Sequence, residues 1–177
     1  MLRTLAPLVF YARFALPFSR IGHRRRLAAR PAPPFDFRGQ RWWVTGASGG
    51  IGRAIALGAL RAGAEVHALA RDPEKLAALR SDAGAAAGRL RLVRVDLSSV
   101  GAVAALAPRA GRVDVLVHNV GVMRHDFAMT REGVETSFAT NLLAPFALTE
   151  ALRESRALDA GGLVLSMSSG GAYGARL

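Results

Sequence analysis

A glycine-rich turn is the part of this sequence whose residue types and spacing indicate chemistry. The turn reads Thr45-Gly46-Ala47-Ser48-Gly49-Gly50-Ile51-Gly52, between a strand-like run and a helix-like run. A dinucleotide pyrophosphate needs such a turn, because the backbone must approach the phosphates without Cβ atoms in the way and free N–H groups at the helix N-terminus must face the anion. We therefore expect a dinucleotide-binding turn, with cofactor contacts from Thr45, Gly46, Ser48, Gly50, Ile51 and Gly52.

The same turn contains a competing motif. Residues 46–50 also fit G-x-S-x-G, the nucleophile elbow of α/β-hydrolases, in which Ser48 would be the nucleophile. Asp114 and either His118 or His125 would then complete a triad. Two features weigh against this hypothesis: only one strand is predicted before the elbow, and Asp114 and His118 belong to one strand, too close in sequence to converge on Ser48.

Charged residues follow the second and third predicted strands. Arg71 comes directly after the second strand, where a cation accommodates the 2′-phosphate of NADP and an acid would bind the ribose hydroxyls of NAD. The expected cofactor is therefore NADP(H), with NAD(H) as the alternative, since neighbouring Asp72 could offset the charge. Asp96 ends the third strand, where its carboxylate could accept from the adenine amino group or cap the helix that begins near Ser99.

The elements that must position these residues alternate along the chain. Short β-rich runs at 41–45, 65–70, 90–95, 113–118 and 163–167 alternate with helical runs at 51–62, 72–83, about 99–108 and about 130–158. This alternation predicts an α/β fold, a Rossmann-type doubly wound parallel sheet with strand order 3-2-1-4-5. Pro145 has no N–H to donate to the carbonyl of Asn141, so the last helix should kink there.

Composition separates an N-terminal arm from the rest of the chain. The 177 residues carry a net charge of +11, but residues 1–41 contain nine arginines and one acid, so the remainder is close to balanced. We expect a basic arm over residues 1–38, with an amphipathic helix and a proline-rich linker, and an incomplete dinucleotide-binding domain over residues 39–177. The arm has no nucleic-acid-binding signature. Peripheral contact of residues 1–30 with an anionic membrane is an alternative to docking on protein. With no cysteine, thiolate metal sites and Cys nucleophiles are excluded.

Several motifs in order resemble the short-chain dehydrogenases/reductases. Residues 45–52 read T-G-x-x-x-G-I-G, residues 95–97 read V-D-L, residues 118–121 read H-N-V-G where the family usually has N-N-A-G, and S-S-G-G at 168–171 follows the fifth strand. The amino-acid sequences of the last predicted helix and of the S-S-G-G motif are most similar to those of the retinol-dehydrogenase-like branch.

The resemblance implies roles for these residues. Asp96 and Leu97 would form the adenine pocket, Asn119 and Gly121 would hold neighbouring strands and the cofactor, and the carbonyl of Asn141 would anchor a water in a proton relay. Ser169 would donate a hydrogen bond to the substrate carbonyl oxygen, stabilising the charge that develops as hydride arrives. The implied activity is hydride transfer between a nicotinamide and a small alcohol or carbonyl compound, in the cytoplasm or at a membrane, with a homo-oligomer as one expected state.

The Tyr-x-x-x-Lys pair that such an enzyme needs is missing from this sequence. Its tyrosines are Tyr11 and Tyr173, its one lysine is Lys75, and neither tyrosine is followed four positions later by lysine. Tyr acts as the general acid, and Lys lowers its pKa. We therefore expect a C-terminally truncated chain that is inactive as it stands. A non-catalytic dinucleotide-binding module and a serine hydrolase using Ser48 remain the alternatives.

Overall fold

The computed structural model of the 177-residue chain describes residues 15–16, 19–29 and 34–169. The amphipathic helix of the arm, predicted in the first 21 residues, lies mostly before residue 15 and so mostly outside the described residues. Most of the proline linker, Gly170, Gly171 and Tyr173 also lie outside them. The chain divides into two compact units, Met1–Phe35 and Asp36–Leu177.

Helix α1 (Arg20–Ala29) is the element described in the first unit. Ser19 caps it, because its hydroxyl accepts from the N–H of Gly22 and its carbonyl accepts from His23. Ile21 and Leu27 are both exposed on this arginine-rich helix. Within the described part of the chain, no helix combines the length and the apolarity that crossing a bilayer requires.

The second unit alternates strands with helices. The elements are β1 (Arg41–Thr45), α2 (Gly50–Arg61), β2 (Glu65–Ala70), α3 (Pro73–Ala83), β3 (Leu90–Arg94), α4 (Val100–Ala104), β4 (Val115–His118), α5 (Thr136–Phe138), α6 (Ala144–Glu154) and β5 (Leu163–Ser166). The strands form one sheet in the order β3-β2-β1-β4-β5, and every pairing is parallel. This confirms the predicted fold class and strand order.

Two apolar layers cover the two faces of the sheet. On one face, Leu57 and Leu60 of α2 and Leu76 and Leu79 of α3 pack with Val44. The opposite layer contains side chains from β1, β2 and β4 together with side chains from α4 and α6: Trp43, Leu69, Leu116, Val103, Leu148 and Leu152. Neighbouring residues of a strand face opposite layers, so both faces of the central strands are buried and the strands read as nearly continuous apolar runs.

The predicted helix over 130–158 is shorter and less regular than the sequence suggested. The hydroxyl of Thr130 accepts from the N–H groups of Glu132 and Val134, which holds this segment in a turn, and the helical run begins only at Thr136. It ends at Glu154. Between α5 and α6 lies a π-helical segment, Ala139–Leu143, in place of a simple kink.

The helix predicted to end near Pro108 is also shorter. Ser99 caps α4, but α4 ends at Ala104 and a short 3₁₀ turn, Ala107–Arg109, follows. Pro108 is the second residue of this turn, and it cannot continue the preceding helix, since its nitrogen has no hydrogen to donate.

Strand β5 lies at the edge of the sheet. In the described part of the chain it pairs with β4 alone, and Leu163, Val164 and Leu165 are each 38% exposed or more. This edge of the sheet is therefore uncovered within the described residues. Unpaired N–H and C=O groups beside exposed apolar side chains are a template for pairing with another strand.

Candidate functional site

The expected site residues lie along the carboxyl edge of the sheet. The glycine turn follows β1, Arg71 follows β2, Asp96 lies two residues beyond β3, and Asn119 and Gly121 follow β4. Since all five strands are parallel, these positions come together at one edge. In open α/β sheets, ligands bind in the crevice at this edge.

Thr45 is the central hydrogen-bonding group of this edge. Its buried hydroxyl donates to the carbonyl of Val117 at 3.2 Å and accepts from the N–H groups of Asn119 (2.9 Å) and Val120 (3.1 Å). The side-chain amide of Asn119 in turn donates to the carbonyl of Thr45 at 3.1 Å. Asn119 therefore connects the end of β4 to β1, the structural role that the resemblance implied.

The turn after β1 is held to β2 and pressed against Asn119. The N–H of Gly46 donates to the carbonyl of Leu69 at 2.9 Å. A Cβ added at Gly52 would collide with the side-chain amide of Asn119 and the carbonyl oxygen of Gly46. The absence of a side chain at Gly52 is thus required by packing inside the protein.

Gly50 is constrained for a different reason. It has a φ of +51°, and a Cβ there would have no atom within 4 Å. The space above Gly50 is therefore open to a ligand, while its backbone conformation favours glycine. Gly52 is therefore constrained by packing within the fold, whereas Gly50 lies beside the space that a ligand could occupy.

The N-terminus of α2 has the features that an anion requires. The residue before the helix, Gly49, is extended and supplies no side-chain cap to the first N–H groups. Ser48 is half-buried in the turn, and Ile51 is 62% exposed on the first turn of the helix. Uncapped N–H groups at the positive end of a helix dipole, below open space, fit a phosphate group.

Arg71 and Asp72 are adjacent but differ in their contacts. Arg71 is exposed, and its charge helps to lower the pKa of Asp96. The carboxylate of Asp72 accepts from the N–H groups of Glu74 (3.0 Å) and Lys75 (3.1 Å), so it caps α3. The hydrogen bond from the N–H of Lys75 lowers the pKa of Asp72. Asp72 is thus engaged by its own helix, while Arg71 faces solvent.

Asp96 binds its own backbone. Its Oδ1 accepts from the N–H (3.0 Å) and the hydroxyl (2.8 Å) of Ser98, and the N–H contact lowers its pKa most. Among the described residues none donates to Oδ2. The side chain of Leu97 is 7% exposed and belongs to the core layer of α4 and α6, so its backbone is the part that can face a ligand.

The segment that leaves β4 is held by Asn141. The side-chain oxygen of Asn141 accepts from the N–H of Val122, and its side-chain nitrogen donates to the carbonyl of Val122, both at 2.8 Å. This two-point contact places the exposed Gly121 beside the π-helical segment. Pro145 explains the π geometry, because it cannot donate to the carbonyl of Asn141.

His118 has contacts that the sequence did not indicate. It is 6% exposed, and its Nε2 lies 2.8 Å from the hydroxyl of Thr149, which itself donates to the carbonyl of Pro145 at 2.9 Å. Because the hydroxyl proton is used on Pro145, Nε2 must carry the hydrogen of the imidazole. Burial lowers the pKa of His118 to about 4. His118 is therefore neutral and connects β4 to α6.

Glu132 is a second group that sequence reasoning missed. Its carboxylate accepts from the hydroxyl of Ser99 at 2.6 Å and from the N–H groups of Val100 (2.9 Å) and Gly101 (3.3 Å). These contacts hold the 130–135 turn against the N-terminus of α4. The hydroxyl of Ser99 has the largest effect in lowering the pKa of Glu132.

The residues proposed for a hydrolase triad are not brought together. Asp114 precedes β4, accepts from the N–H of Arg41 at 2.8 Å and pairs with Arg112, all at the amino edge of the sheet. Ser48 lies at the carboxyl edge, and His118 is buried against Thr149. The geometry therefore argues against nucleophilic catalysis by Ser48 with these partners.

Ser169 extends the carboxyl edge beyond β5. The N–H of Met167 donates to the carbonyl of His118 at 2.8 Å, so the chain leaves β5 alongside the segment that leaves β4. Ser169 follows two residues later and is exposed. The segments that carry Asn119, Gly121 and Ser169 thus leave the sheet at the same edge.

The fold and the glycine turn define a Rossmann-type dinucleotide fold, and comparison with known proteins identifies the family. A family model described as short chain dehydrogenase matches residues 41–175. D-erythrulose reductase of Gallus gallus is 34% identical over 140 residues, 77% of this chain and 55% of that protein. Retinol dehydrogenase 13 of Mus musculus is 34% identical over 132 residues, 71% of this chain and 40% of that protein. The chain belongs to the short-chain dehydrogenase/reductase family.

Solved structures agree with this assignment. A short-chain dehydrogenase/reductase of Brucella melitensis has a TM-score of 0.70 at 27% identity, covering 81% of this chain and 62% of that one. A 3-oxoacyl-(acyl-carrier-protein) reductase of Agrobacterium tumefaciens, solved with NADP bound, has a TM-score of 0.64 at 32% identity, covering 77% and 55%. The chain spans about half the length of the curated relatives that it matches.

Proposed function

We propose that this chain binds a nicotinamide dinucleotide at the carboxyl edge of the sheet, with the pyrophosphate at the N-terminus of α2. The observation that carries the proposal is the uncapped helix N-terminus below open space at Gly50. Family membership supports it, and a related reductase was solved with NADP bound. Thr45 and Asn119 hold the turn in place for this contact.

The reaction served by this site is hydride transfer between the nicotinamide and an alcohol or carbonyl carbon. The bound dinucleotide supplies or accepts the hydride. Ser169 donates a hydrogen bond to the substrate oxygen, where negative charge develops as a carbonyl is reduced. Asn141 fixes the segment after β4 through Val122, which keeps that wall of the crevice in a single conformation.

The sequence contains the residues for dinucleotide binding but not those for catalytic turnover. It contains no tyrosine followed four positions later by lysine, so no general acid of tuned pKa accompanies Ser169. Loss of general acid catalysis costs about 10²–10⁴-fold in rate. The chain alone therefore acts as a dinucleotide-binding module, and the reductase activity requires a Tyr-Lys pair that these 177 residues do not supply.

The preferred cofactor is NADP(H). Arg71 is exposed at the end of β2, while the carboxylate of Asp72 is occupied by the N–H groups of Glu74 and Lys75. A guanidinium can fork onto a 2′-phosphate with charge-assisted hydrogen bonds, whereas a carboxylate turned toward the ribose would repel it. NAD(H) binds more weakly at the same position, because it has no 2′-phosphate for Arg71 to contact.

Calorimetric titration of the full chain tests this proposal. The wild type should bind NADPH about tenfold or more tightly than NADH, the factor that one charge-assisted hydrogen bond is worth. Arg71→Ala should remove most of that difference and leave the affinity for NADH unchanged. Asp72→Ala is the matched control, and it should keep the preference.

Three results would contradict the proposal. If neither dinucleotide binds to the folded chain, the crevice at α2 is not a cofactor site. If the wild type prefers NADH and Asp72→Ala abolishes that preference, Asp72 rather than Arg71 contacts the ribose. Turnover of a carbonyl substrate above a heat-treated control, abolished by Ser169→Ala, would show that the chain needs no Tyr-Lys pair.

A further inference from the structure

The amino edge of the sheet carries a basic cavity that the cofactor function does not use. Its volume is about 480 Å³, and its charged lining comprises Arg41, Glu65, Arg89, Arg91, Arg112 and Asp114. We call it the basic cavity. The five-residue strand β1 separates Arg41 at this edge from Thr45 at the other by about 13 Å. A ligand here would be distinct from one at the glycine turn.

The cations that line this cavity outnumber the anions, and two of these cations have no acidic partner in the part of the chain that the structure describes. Arg41 pairs with Glu65 at 3.2 Å, and Arg112 pairs with Asp114. Arg89 has no acidic partner among the described residues, and one of its N–H groups donates to the carbonyl of Leu60 at 2.7 Å. The side chain of Arg91 is exposed and makes no hydrogen bond or ion pair within the described part of the chain. Two guanidinium charges are thus available to an incoming anion.

Arg41 makes one wall of the cavity rigid. Its guanidinium donates to Glu65 and to the carbonyl oxygens of Ala110 and Arg112. A Cβ at Gly111 would lie 2.7 Å from Nη1 of Arg41, so the glycine makes room for this side chain. The Nε of Arg41 is buried and has no acceptor within the described residues. The wall therefore contains a fixed donor group before any ligand arrives.

We propose that the basic cavity binds a small phosphorylated molecule, with its phosphate between Arg89 and Arg91. The forked guanidinium geometry matches phosphate oxygens, and phosphate carries enough charge to satisfy both free cations. A cavity of this volume lies within the range of small-molecule sites and holds a ligand of nucleotide or sugar phosphate size. Neither the glycine turn nor Ser169 takes part in this site.

Calorimetry with inorganic pyrophosphate as the probe tests the proposal on the full chain in the presence of saturating NADPH, which occupies the pyrophosphate site at the N-terminus of α2. The wild type should bind it, and Arg91→Gln should weaken binding about tenfold, the factor expected when one charge-assisted hydrogen bond is lost. Arg91→Glu should abolish it, because a like charge then faces the anion. Arg94→Gln is the matched control, since Arg94 lies on the same strand, is also exposed, and sits at the opposite edge. The melting temperature of each variant shows whether it is folded.

Each outcome decides the question. Loss in both Arg91 variants with retention in Arg94→Gln supports the basic cavity. Unchanged binding in Arg91→Gln, with the glycine turn occupied by NADPH, would place pyrophosphate outside the basic cavity and overturn the proposal. Equal weakening of pyrophosphate binding in Arg91→Gln and Arg94→Gln would show that the loss reflects the net charge of the protein, and it would also overturn the proposal. A wild type that binds no pyrophosphate would do the same.

Discussion

Replacing Gly52 with alanine puts a methyl group where Asn119 and Gly46 already touch the helix. The added carbon would collide with the side-chain amide of Asn119 and the carbonyl oxygen of Gly46, and it would lie 2.9 Å from the carbonyl carbon of Gly46. Two of these three atoms are backbone, so the turn itself must move. Movement of Asn119 would also break its hydrogen bond to the carbonyl of Thr45.

The expected cost follows from these contacts. Overpacking of a tight interior typically costs about 1–3 kcal/mol. The lost hydrogen bond contributes about 1 kcal/mol more. The better helix propensity of alanine returns up to about 1 kcal/mol. Gly52→Ala should therefore lower the free energy of unfolding by about 2 kcal/mol, and it should also weaken dinucleotide binding.

Urea unfolding of the full chain, followed by tryptophan fluorescence, measures this change. Trp43 is 3% exposed and reports on the core beside the turn. Gly58→Ala is the matched control, because Gly58 lies in the same helix and a Cβ there meets no atom within 4 Å. That variant should be more stable than the wild type by about 0.5–1 kcal/mol.

The critical result is that Gly52→Ala lowers the free energy of unfolding whereas Gly58→Ala raises it. If Gly52→Ala is as stable as Gly58→Ala, the close approach of Asn119 and Gly46 does not constrain the turn, and the assignment of Gly52 to packing is wrong. If Gly52→Ala is destabilised but binds the dinucleotide normally, Gly52 matters to the fold without setting the geometry of the crevice.

Three further predictions concern other residues of the sheet. Thr45→Val removes a hydroxyl that serves three backbone groups and should cost about 2–4 kcal/mol, whereas Thr45→Ser keeps the hydroxyl and should cost about 1 kcal/mol in the same unfolding assay; equal costs would contradict this role. Because burial lowers the pKa of His118 to about 4, the unfolded chain binds the proton more tightly, and the free energy of unfolding should fall as pH drops from about 6.5 toward 4, by up to about 3 kcal/mol. Unfolding curves of His118→Asn should show a smaller fall over this range, and an unchanged fall would assign it to other groups. Val164→Lys on the exposed β5 should reduce self-association seen by sedimentation, and a monomeric wild type at high concentration would contradict that expectation.

The order of elements and the sheet topology could be predicted from the sequence, because they depend on local patterns. Apolar runs of strand length alternate with helical runs, and each parallel crossover is constrained in handedness. Local chemistry also set the start of α3, where Asp72 caps the helix and Pro73 occupies its first turn. The same holds for the glycine turn, which lies where the strand-to-helix pattern placed it.

The boundaries of the later helices could not be predicted, since they depend in part on hydrogen bonds between residues distant in the sequence. The apolar spacing over 130–158 is compatible with helix throughout. Thr130 nevertheless folds 130–135 into a turn, and Glu132 reaches α4, about 30 residues away in sequence. The periodic spacing of apolar residues shows which residues can form a helix. Hydrogen bonds made in the folded chain decide where that helix begins.

The tertiary structure alone decided what several site residues do. Thr45 and Asn119 are 74 residues apart, and only their pairing shows why Gly52 must lack a side chain. His118 ends a strand in the sequence, but its burial against Thr149 makes it a neutral connector between β4 and α6. Residue types indicate which contacts are chemically available. Which of them form depends on side chains that the fold brings together from distant positions, and no local pattern contains that information.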